Sequence, residues 1–386
     1  LTLGMIGSSH KENEKRVAIH PVHFPLIDRN ARKRVFVEKD YGARFRISDS
    51  EIEQSVAGTR TREEIFAECD IVMIFKPTFA DFLFFRPNQI IWGALHLVQT
   101  PAFVQEAIDK KLTCIAMESM YTWRPDGKRG VWLFHTQSEL AGYCSVLHSL
   151  QLAGMKGWHD QPKRVAVISF GSTGRGAVHA FMRMDFTDIT VFTQREALAV
   201  AGMIPTVKYD QYHRDANNPE KVVYETKSGQ RVPFGVILSG FDIVVNCVYQ
   251  DTDNPLMFIY NRDLCKFKCG SKLIDVSCDH GMGFEFAHPT TFDDPTFEVG
   301  NGVTYYAVDH SPSYLYNTAS LEHSKEAYPY VGHVLGGEPA WRDCLTVDRA
   351  VEIRKGVVEN SKILSYQNRE RDFPHRVIAK ASQAKV

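Results

Sequence analysis

Several short stretches of this chain carry residue types that do chemistry. The plainest is RVAVISFGSTGRGAVHAFMRM, which starts at Arg164. A short apolar run gives way to a turn of small residues, and apolar residues at helical spacing follow. Such a turn lays a pyrophosphate against free backbone N–H groups at a helix start. In the usual glycine pattern the first glycine makes the turn, the second admits the phosphate and the third lets helix and strand pack closely. Here Ser169 stands in the first position, and Gly171 and Gly174 take the second and third, with Ser172 and Thr173 between them. Strand, turn, helix and second strand occur in order, which predicts a dinucleotide site. The second strand ends at Thr193-Gln194-Arg195, with no acid before Glu196. A carboxylate at that place would repel a 2′-phosphate, whereas Thr193 and Arg195 suit one. NADP(H) is therefore the favoured cofactor, with NAD(H) still compatible.

Four further residues follow apolar runs that read as strands. Arg16 lies in NEKRVAIHP after the first run, Lys76 in FKP and His96 in ALH. Asp279 lies in IDVSCDHGMGFEF, read as a strand running up to Asp279-His280-Gly281. Ends of parallel strands are where α/β folds hold ligands. Taken singly, Arg16 and Lys76 also read as surface charges, and His96 as a core histidine with its bonds made.

The elements that must position these residues alternate. Leu3–Ile6, Arg34–Val37, Ile71–Phe75, Ile90–Leu95 and Thr113–Ala116 read as strands. Helical spacing lies between them at Pro21–Asn30, Thr61–Glu68 and Ala102–Lys110. This alternation predicts βαβ units and parallel sheets. Ser138 to Lys156 reads as one long helix, a bridge to a second βαβ series. Ser228-Gly229 suggests a hairpin, and the tail after Asn368 reads as a polar surface segment.

Composition excludes several classes. The 386 residues carry 45 Lys and Arg against 46 Asp and Glu, a net charge of −1, which argues against a nucleic-acid partner or a charge-held membrane protein. With 44% hydrophobic residues the chain can bury a core. No apolar run approaches the length that spans a bilayer, and the first residues do not read as a signal peptide. Eight cysteines are too few for a disulfide scaffold, and Cys265 and Cys269 lack a second pair, so no metal site is expected. A cytoplasmic protein fits best.

The chain resembles the alanine dehydrogenase family, which includes the N-terminal part of transhydrogenase, N5-(carboxyethyl)ornithine synthase and lysine-forming saccharopine dehydrogenase. The likeness runs from NEKRVAIHP through LHL and SELAG to AYPYV. Most specific are DHGMGFEFAHPTTFDDPTFEV and VDHSPSYLYNTASLEHSKEAYPYV. The resemblance implies two Rossmann-like α/β domains with parallel sheets and an inter-domain cleft. The substrate domain would take residues 1–139 and 320–386, and the dinucleotide domain 140–319. It also implies reversible reductive amination of a 2-oxo acid, with hydride from the nicotinamide. Arg16 and Lys76 would bind the oxo acid, His96 would act as general acid and base, and Asp279 would orient the histidine or steady the iminium charge. Asn246 and Val248 would join the cofactor site.

Within the family, Val308–Ser313 (VDHSPS) and IVVNCVY look closer to the synthase and saccharopine types, while DHGMGFE looks like alanine dehydrogenase itself. The amine is therefore expected to be an amino acid such as ornithine or lysine, giving an opine-like secondary amine. Asp309, His310, Ser311 and Ser313 would then line its site. The alternative is ammonia, as in an alanine dehydrogenase. A remote third is a non-catalytic dinucleotide-binding subunit, which the four residues Arg16, Lys76, His96 and Asp279 argue against. Small amino and oxo acids are the expected partners, and a homo-oligomer remains open.

Overall fold

The apolar runs of the first hundred residues form a parallel sheet in the computed structural model. The structure describes every residue except 159–160, 197–199, 216–217, 219–220 and 379–386. The chain divides into one unit of Leu1–His135 with Tyr316–Val386, and a second of Thr136–Leu315. The first unit contains β1 (Leu3–Met5), β2 (Val35–Glu38), β3 (Gly58–Arg60), β4 (Ile71–Ile74), β5 (Ile90–Gly93) and β6 (Thr113–Ala116). Their order across the sheet is β6-β5-β4-β1-β2-β3, all parallel. Val351–Arg354 and Val357–Val358 add two antiparallel strands beyond β6. A hairpin of β7 (Tyr121–Trp123) and β8 (Arg129–Trp132) stands apart.

Both faces of this sheet are covered. Ile71 and Met73 of β4 enter one hydrophobic cluster and Val72 and Ile74 the other, as the two-residue period of a strand requires. That is why these strands read as unbroken apolar runs. The order reverses between β1 and β4, and in open α/β sheets such a reversal opens a crevice at the carboxyl ends of the strands.

The second unit repeats the plan. Its strands are β9 (Arg164–Ile168), β10 (Asp188–Thr193), β11 (Lys208–Arg214), β12 (Val222–Glu225), β13 (Arg231–Pro233), β14 (Ile243–Asn246), β15 (Met257–Ile259), β16 (Lys272–Asp275), β17 (Gly283–Phe284), β18 (Thr296–Val299) and β19 (Val303–Tyr306). The main sheet runs β13-β12-β11-β10-β9-β14-β16-β19-β18, with its reversal between β9 and β14. Val165 and Val167 face one cluster, Ala166 and Ile168 the other.

Some sequence expectations are met and others need correction. Pro21–Asn30 is not one helix, because Pro25 interrupts it: a 3-10 segment, Pro21–Leu26, precedes a short turn of helix, Arg29–Arg32, capped by Asp28. Thr61–Glu68 does form, with Thr61 and Glu64 making a reciprocal cap for Arg62–Glu68. The long helix covers His135–Leu152 and stops near Gly154, which takes φ +62°. The Ser228-Gly229 hairpin forms between β12 and β13, with Gly229 at φ +78°. The tail is less superficial than its polar residues suggest. Arg369 is buried because its guanidinium meets the carbonyls of Pro101 and His375 and the side chains of Gln367 and Gln105. Among the described residues, no helix is long and apolar enough to cross a membrane.

Candidate active site

In the first unit Arg16, Lys76 and His96 follow β1, β4 and β5, with the order of the sheet reversing between β1 and β4. Arg16 lies on the loop after β1, and its guanidinium is buried. Glu14 grips it at two points, Nε to Oε1 at 2.8 Å and one terminal nitrogen to Oε2 at 2.6 Å. A two-point grip of this kind fixes the plane of the guanidinium. That plane lies over the Phe75 ring, 4.5 Å from its centre. Phe75 immediately precedes Lys76, so the Arg16 head group is held against the end of β4. Behind Phe75 stands His323, 4.7 Å edge-on to it and stacked at 4.1 Å on Phe134. Both His323 ring nitrogens are buried without a hydrogen bond. Burial, and then the Arg16 charge, hold its pKa well below the usual imidazole value, so it is neutral.

Lys76 and His96 follow β4 and β5 and share an unusual backbone. Lys76 has φ +46° and His96 φ +49°, a left-handed conformation that costs an L-residue roughly 1–2 kcal/mol. Strained residues cluster where a side chain has to be aimed. His96 is half exposed, whereas Arg16 is buried.

The strand beside β5 supplies a residue that sequence inspection missed. Glu118 comes two residues after β6. Its carboxylate accepts the backbone N–H of His96, and that of Leu95 at 3.2 Å. Its Oε1 also lies 3.8 Å from His96 Nδ1. Burial pushes the Glu118 carboxyl upward, while the bonds to its own, His96 and Leu95 backbone N–H groups and the Lys76 charge pull against this. Glu352, on the antiparallel neighbour of β6, is pushed up to about 7 by burial and then by the Glu118 charge. Its Oε1 accepts from Ser119 Oγ at 2.5 Å and from Asn360 Nδ2 at 3.0 Å. The only local signal for Glu118 was an acid just beyond an apolar run.

In the second unit the glycine turn follows β9. Ser169 takes φ +82°, the conformation that glycine adopts freely, so it performs the turn at a cost. Space is open around Gly171, where a Cβ would meet nothing within 4 Å. A Cβ at Gly174 would collide with the Ser169 carbonyl, so the helix Ser172–Arg183 starts hard against the turn. This is a cradle that fits a pyrophosphate at the N-terminus of a twelve-residue helix, with the Gly171, Ser172 and Thr173 main chain as its wall. Gly176 abuts the Glu139 carbonyl and Gly142 the Thr173 carbonyl, so helices His135–Leu152 and Ser172–Arg183 cross with their backbones touching.

Thr193 is buried at the end of β10, and its hydroxyl donates to the Arg195 carbonyl at 2.6 Å. Arg195 is exposed, and residues 197–199 beyond it lie outside the described residues. Asn246, fully buried at the end of β14, donates to Asp275 Oδ1 at 3.0 Å and accepts from Val248 N at 3.2 Å. Asp275 also accepts from Cys278 N at 3.0 Å and from the Tyr305 hydroxyl at 2.9 Å. Burial pushes its carboxyl up to about 7. Asp279 does not end a strand: β16 stops at Asp275, and Asp279 sits half-buried on the loop beyond. Burial raises it to about 6, the neighbouring His280 lowering it less.

The VDHSPS segment is mostly buried. Ser311 Oγ accepts from Ser145 at 2.8 Å and donates to the Ala141 carbonyl at 3.2 Å, which commits it to the long helix. His310 is buried too, with Nδ1 2.7 Å from Asp309 Oδ1. Ser313 N donates to the His310 carbonyl, closing the turn. Cys265 and Cys269 are exposed thiols, and no cluster of metal-ligating residues occurs among the described residues.

Two sheets of this order, one opening on a glycine cradle, define a doubly Rossmann-like α/β protein. Comparison with known sequences narrows the class. The profile "Alanine dehydrogenase/PNT, N-terminal domain" matches residues 6–141, and "Alanine dehydrogenase/PNT, C-terminal domain" matches 148–364. The chain belongs to the alanine dehydrogenase/PNT family, and with it to the nicotinamide-dependent oxidoreductases. It is 25% identical to alanine dehydrogenase 1 of Staphylococcus aureus over 376 residues, 92% of this chain and 94% of that one. To alanine dehydrogenase of Mycobacterium tuberculosis it is 26% identical, over 84% of this chain and 85% of that one. Among solved structures, an L-alanine dehydrogenase shares its fold with a TM-score of 0.71 at 19% identity, covering 95% of this chain and 99% of that chain. A transhydrogenase from Sinorhizobium meliloti gives 0.64 at 17% identity, over 93% and 99%.

Proposed function

We propose that this protein catalyses the reversible reductive amination of a 2-oxo acid, pyruvate, by ammonia, using NAD(P)H. The observation that carries the proposal is the run of strand ends in the first unit: β4, β5 and β6 lie side by side and are followed within two or three residues by Lys76, His96 and Glu118, with Arg16 held against Phe75. This combination suits a small keto acid. Arg16 binds its carboxylate and Lys76 its carbonyl oxygen, polarising the carbon that the amine attacks. His96 protonates the carbinolamine hydroxyl as water leaves, and takes the proton back in the reverse direction. Glu118, bonded to the His96 backbone, keeps the imidazole at the end of β5.

The first unit is thus the substrate and catalytic unit, and the second the dinucleotide unit. Ser169, Gly171, Ser172, Thr173 and Gly174 hold the pyrophosphate, and Asn246 and Val248 border the nicotinamide end. When bound, the nicotinamide supplies or accepts the hydride. Asp279 is assigned the steadying of the iminium charge by the family resemblance, a role that needs its carboxylate form. NADP(H) is the proposed preference, because the strand end Thr193-Gln194-Arg195 carries no acid before Glu196 and the Arg195 side chain is exposed.

A second proposal keeps the chemistry and changes the amine. The VDHSPS sequence at Val308–Ser313 favours the amino group of an amino acid such as ornithine or lysine, which would give a secondary amine. One experiment decides both. Oxidation of NADPH and of NADH is followed with pyruvate plus ammonium, then with pyruvate plus ornithine or lysine. Turnover with ammonium alone, unaffected by the amino acids, supports the alanine dehydrogenase activity. Turnover that requires an amino acid replaces ammonia with that amine, and no turnover with any pair defeats the proposal.

A further inference from the structure

Resting on that proposal, one buried carboxylate has a place in the same site. Arg16 and Lys76 sit on different loops, one after β1 and one after β4. Neither loop is regular, yet a bidentate hold on a small oxo acid requires both head groups to be fixed relative to each other. Asp81 is completely buried in the first unit and touches both loops. From the first it accepts the backbone N–H of His10 at 3.1 Å on Oδ2, and His10 Nδ1 lies 2.6 Å from Oδ1. From the second, Oδ2 accepts Thr78 N at 2.8 Å and Thr78 Oγ1 at 3.0 Å. Only Pro77, with its restricted φ, separates Thr78 from Lys76.

Arg62 completes the joint. It reaches Asp81 Oδ1 at 3.3 Å, Glu38 Oε1 at 2.9 Å and the carbonyl of Ser8 on the first loop. Glu38 in turn accepts Gly7 N at 2.7 Å. The hydrogen bonds of the Asp81 side chain to His10, Thr78 and Arg62 thus join the Arg16 loop, the Lys76 loop and the arginine that clasps them.

We propose that Asp81 is a positioning residue for the oxo-acid site, a single carboxylate that fixes the Arg16 loop and the Lys76 loop against each other. Its loss lets the two cations drift apart, which weakens oxo-acid capture and leaves the dinucleotide cradle of the second unit as it was. A misplacement of about 1 Å between reacting groups costs as much as 10²-fold in rate, so the effect is large enough to read.

The test uses the full chain and steady-state kinetics. Asp81→Asn removes one acceptor. His10→Ala, at a half-exposed residue, removes one arm of the joint with little risk to folding. The expected result is a rise in pyruvate KM of roughly tenfold or more in both variants, by the same positional argument. NADPH affinity, read by fluorescence, stays within about twofold of wild type, and His10→Asn, whose amide nitrogen can replace Nδ1, recovers KM. An unchanged pyruvate KM in both variants overturns the proposal. So does a parallel loss of pyruvate and NADPH binding, which marks general unfolding. Arg16→Ala and Lys76→Ala serve as references: if neither alters pyruvate KM, the substrate proposal fails instead. The joint is then judged by hydrogen exchange, where Asp81→Asn must speed exchange in both peptides 7–16 and 75–82, and faster exchange in neither or only one overturns it.

Discussion

The two units share a strand order and differ in what they place at its reversal. The first presents side chains. Lys76 and His96 stand on left-handed backbone just beyond neighbouring strands, Glu118 accepts the His96 backbone N–H, and Glu14 grips Arg16 on the loop after β1. The second presents main chain. Ser169 bends the turn at positive φ, and Gly171 and Gly174 leave it without Cβ atoms at the start of the helix Ser172–Arg183. The shared order of the six central strands would, under the proposed function, support two kinds of recognition, each sensitive to a different kind of substitution. In the first unit, removing atoms from a side chain should destroy chemistry and spare the fold. In the second, adding atoms should destroy binding.

The largest expected effect breaks the first half of that contrast. His96→Ala should lower kcat by roughly 10²–10⁴, the range for loss of a general acid and base. NADPH binding should be unchanged, because no residue of the cradle belongs to the first unit. Rapid-mixing measurement of NADPH oxidation and a fluorescence titration separate the two quantities. An unaltered kcat would remove His96 from the acid–base role.

Next is the complementary test in the second unit. Gly174→Ala puts a methyl group against the Ser169 carbonyl, and overpacking of this kind costs about 1–3 kcal/mol. If the turn shifts to absorb it, cofactor affinity falls by roughly 5- to 150-fold. Pyruvate KM, extrapolated to saturating cofactor, should stay near wild type. A variant that binds NADPH as before would mean that the cradle is not where the pyrophosphate rests.

How much of this was legible in the sequence also differs between the units. The glycine turn is a local feature: strand, small residues and helix follow one another within about twenty positions, so RVAVISFGSTG announces itself. Lys76 and His96 were legible for a related reason, since each follows a fully apolar run whose length marks it as a buried strand. Glu118 and Asp81 were not. Glu118 matters because β6 lies beside β5, and Asp81 because the β1 and β4 loops are neighbours, pairings between residues that sequence spacing does not encode. Ser311 shows the converse. Its segment is a good family signature, but its hydroxyl turns into the long helix, and no local pattern reports that direction. Arg369 opens a polar tail segment that reads as surface, yet acceptors on the distant Pro101 and Gln105, with Gln367 and His375 nearby in sequence, draw it inside.

A smaller effect tests how the second unit holds its loops. Asp275 joins Asn246 to the Cys278–Asp279 loop, and burial raises it from 3.8 to about 7. The folded form thus holds a proton that the unfolded form releases. This contribution to stability is complete below the unfolded value and is lost as pH rises through about 7. Asp275→Asn cannot ionise, so the difference in Tm between wild type and variant should move in the variant's favour from pH 4 to pH 8. A difference that stays constant across this interval would show that Asp275 is ionised throughout.

The smallest effect compares strain in the two units directly. Ser169 at φ +82° and His96 at φ +49° each hold a left-handed conformation. Relief of such strain by glycine is worth about 1 kcal/mol, from which the greater freedom of glycine in the unfolded chain subtracts part. Ser169→Gly should therefore raise Tm by a degree or two and leave NADPH affinity intact, since the second unit uses the backbone of that residue and not its hydroxyl. His96→Gly should relieve comparable strain and still lose the reaction, because the first unit tolerates that backbone for the sake of the ring. If Ser169→Gly instead weakened NADPH binding, the serine hydroxyl would itself be a ligand, and the division between main-chain and side-chain recognition would not hold at the turn that best exemplifies it.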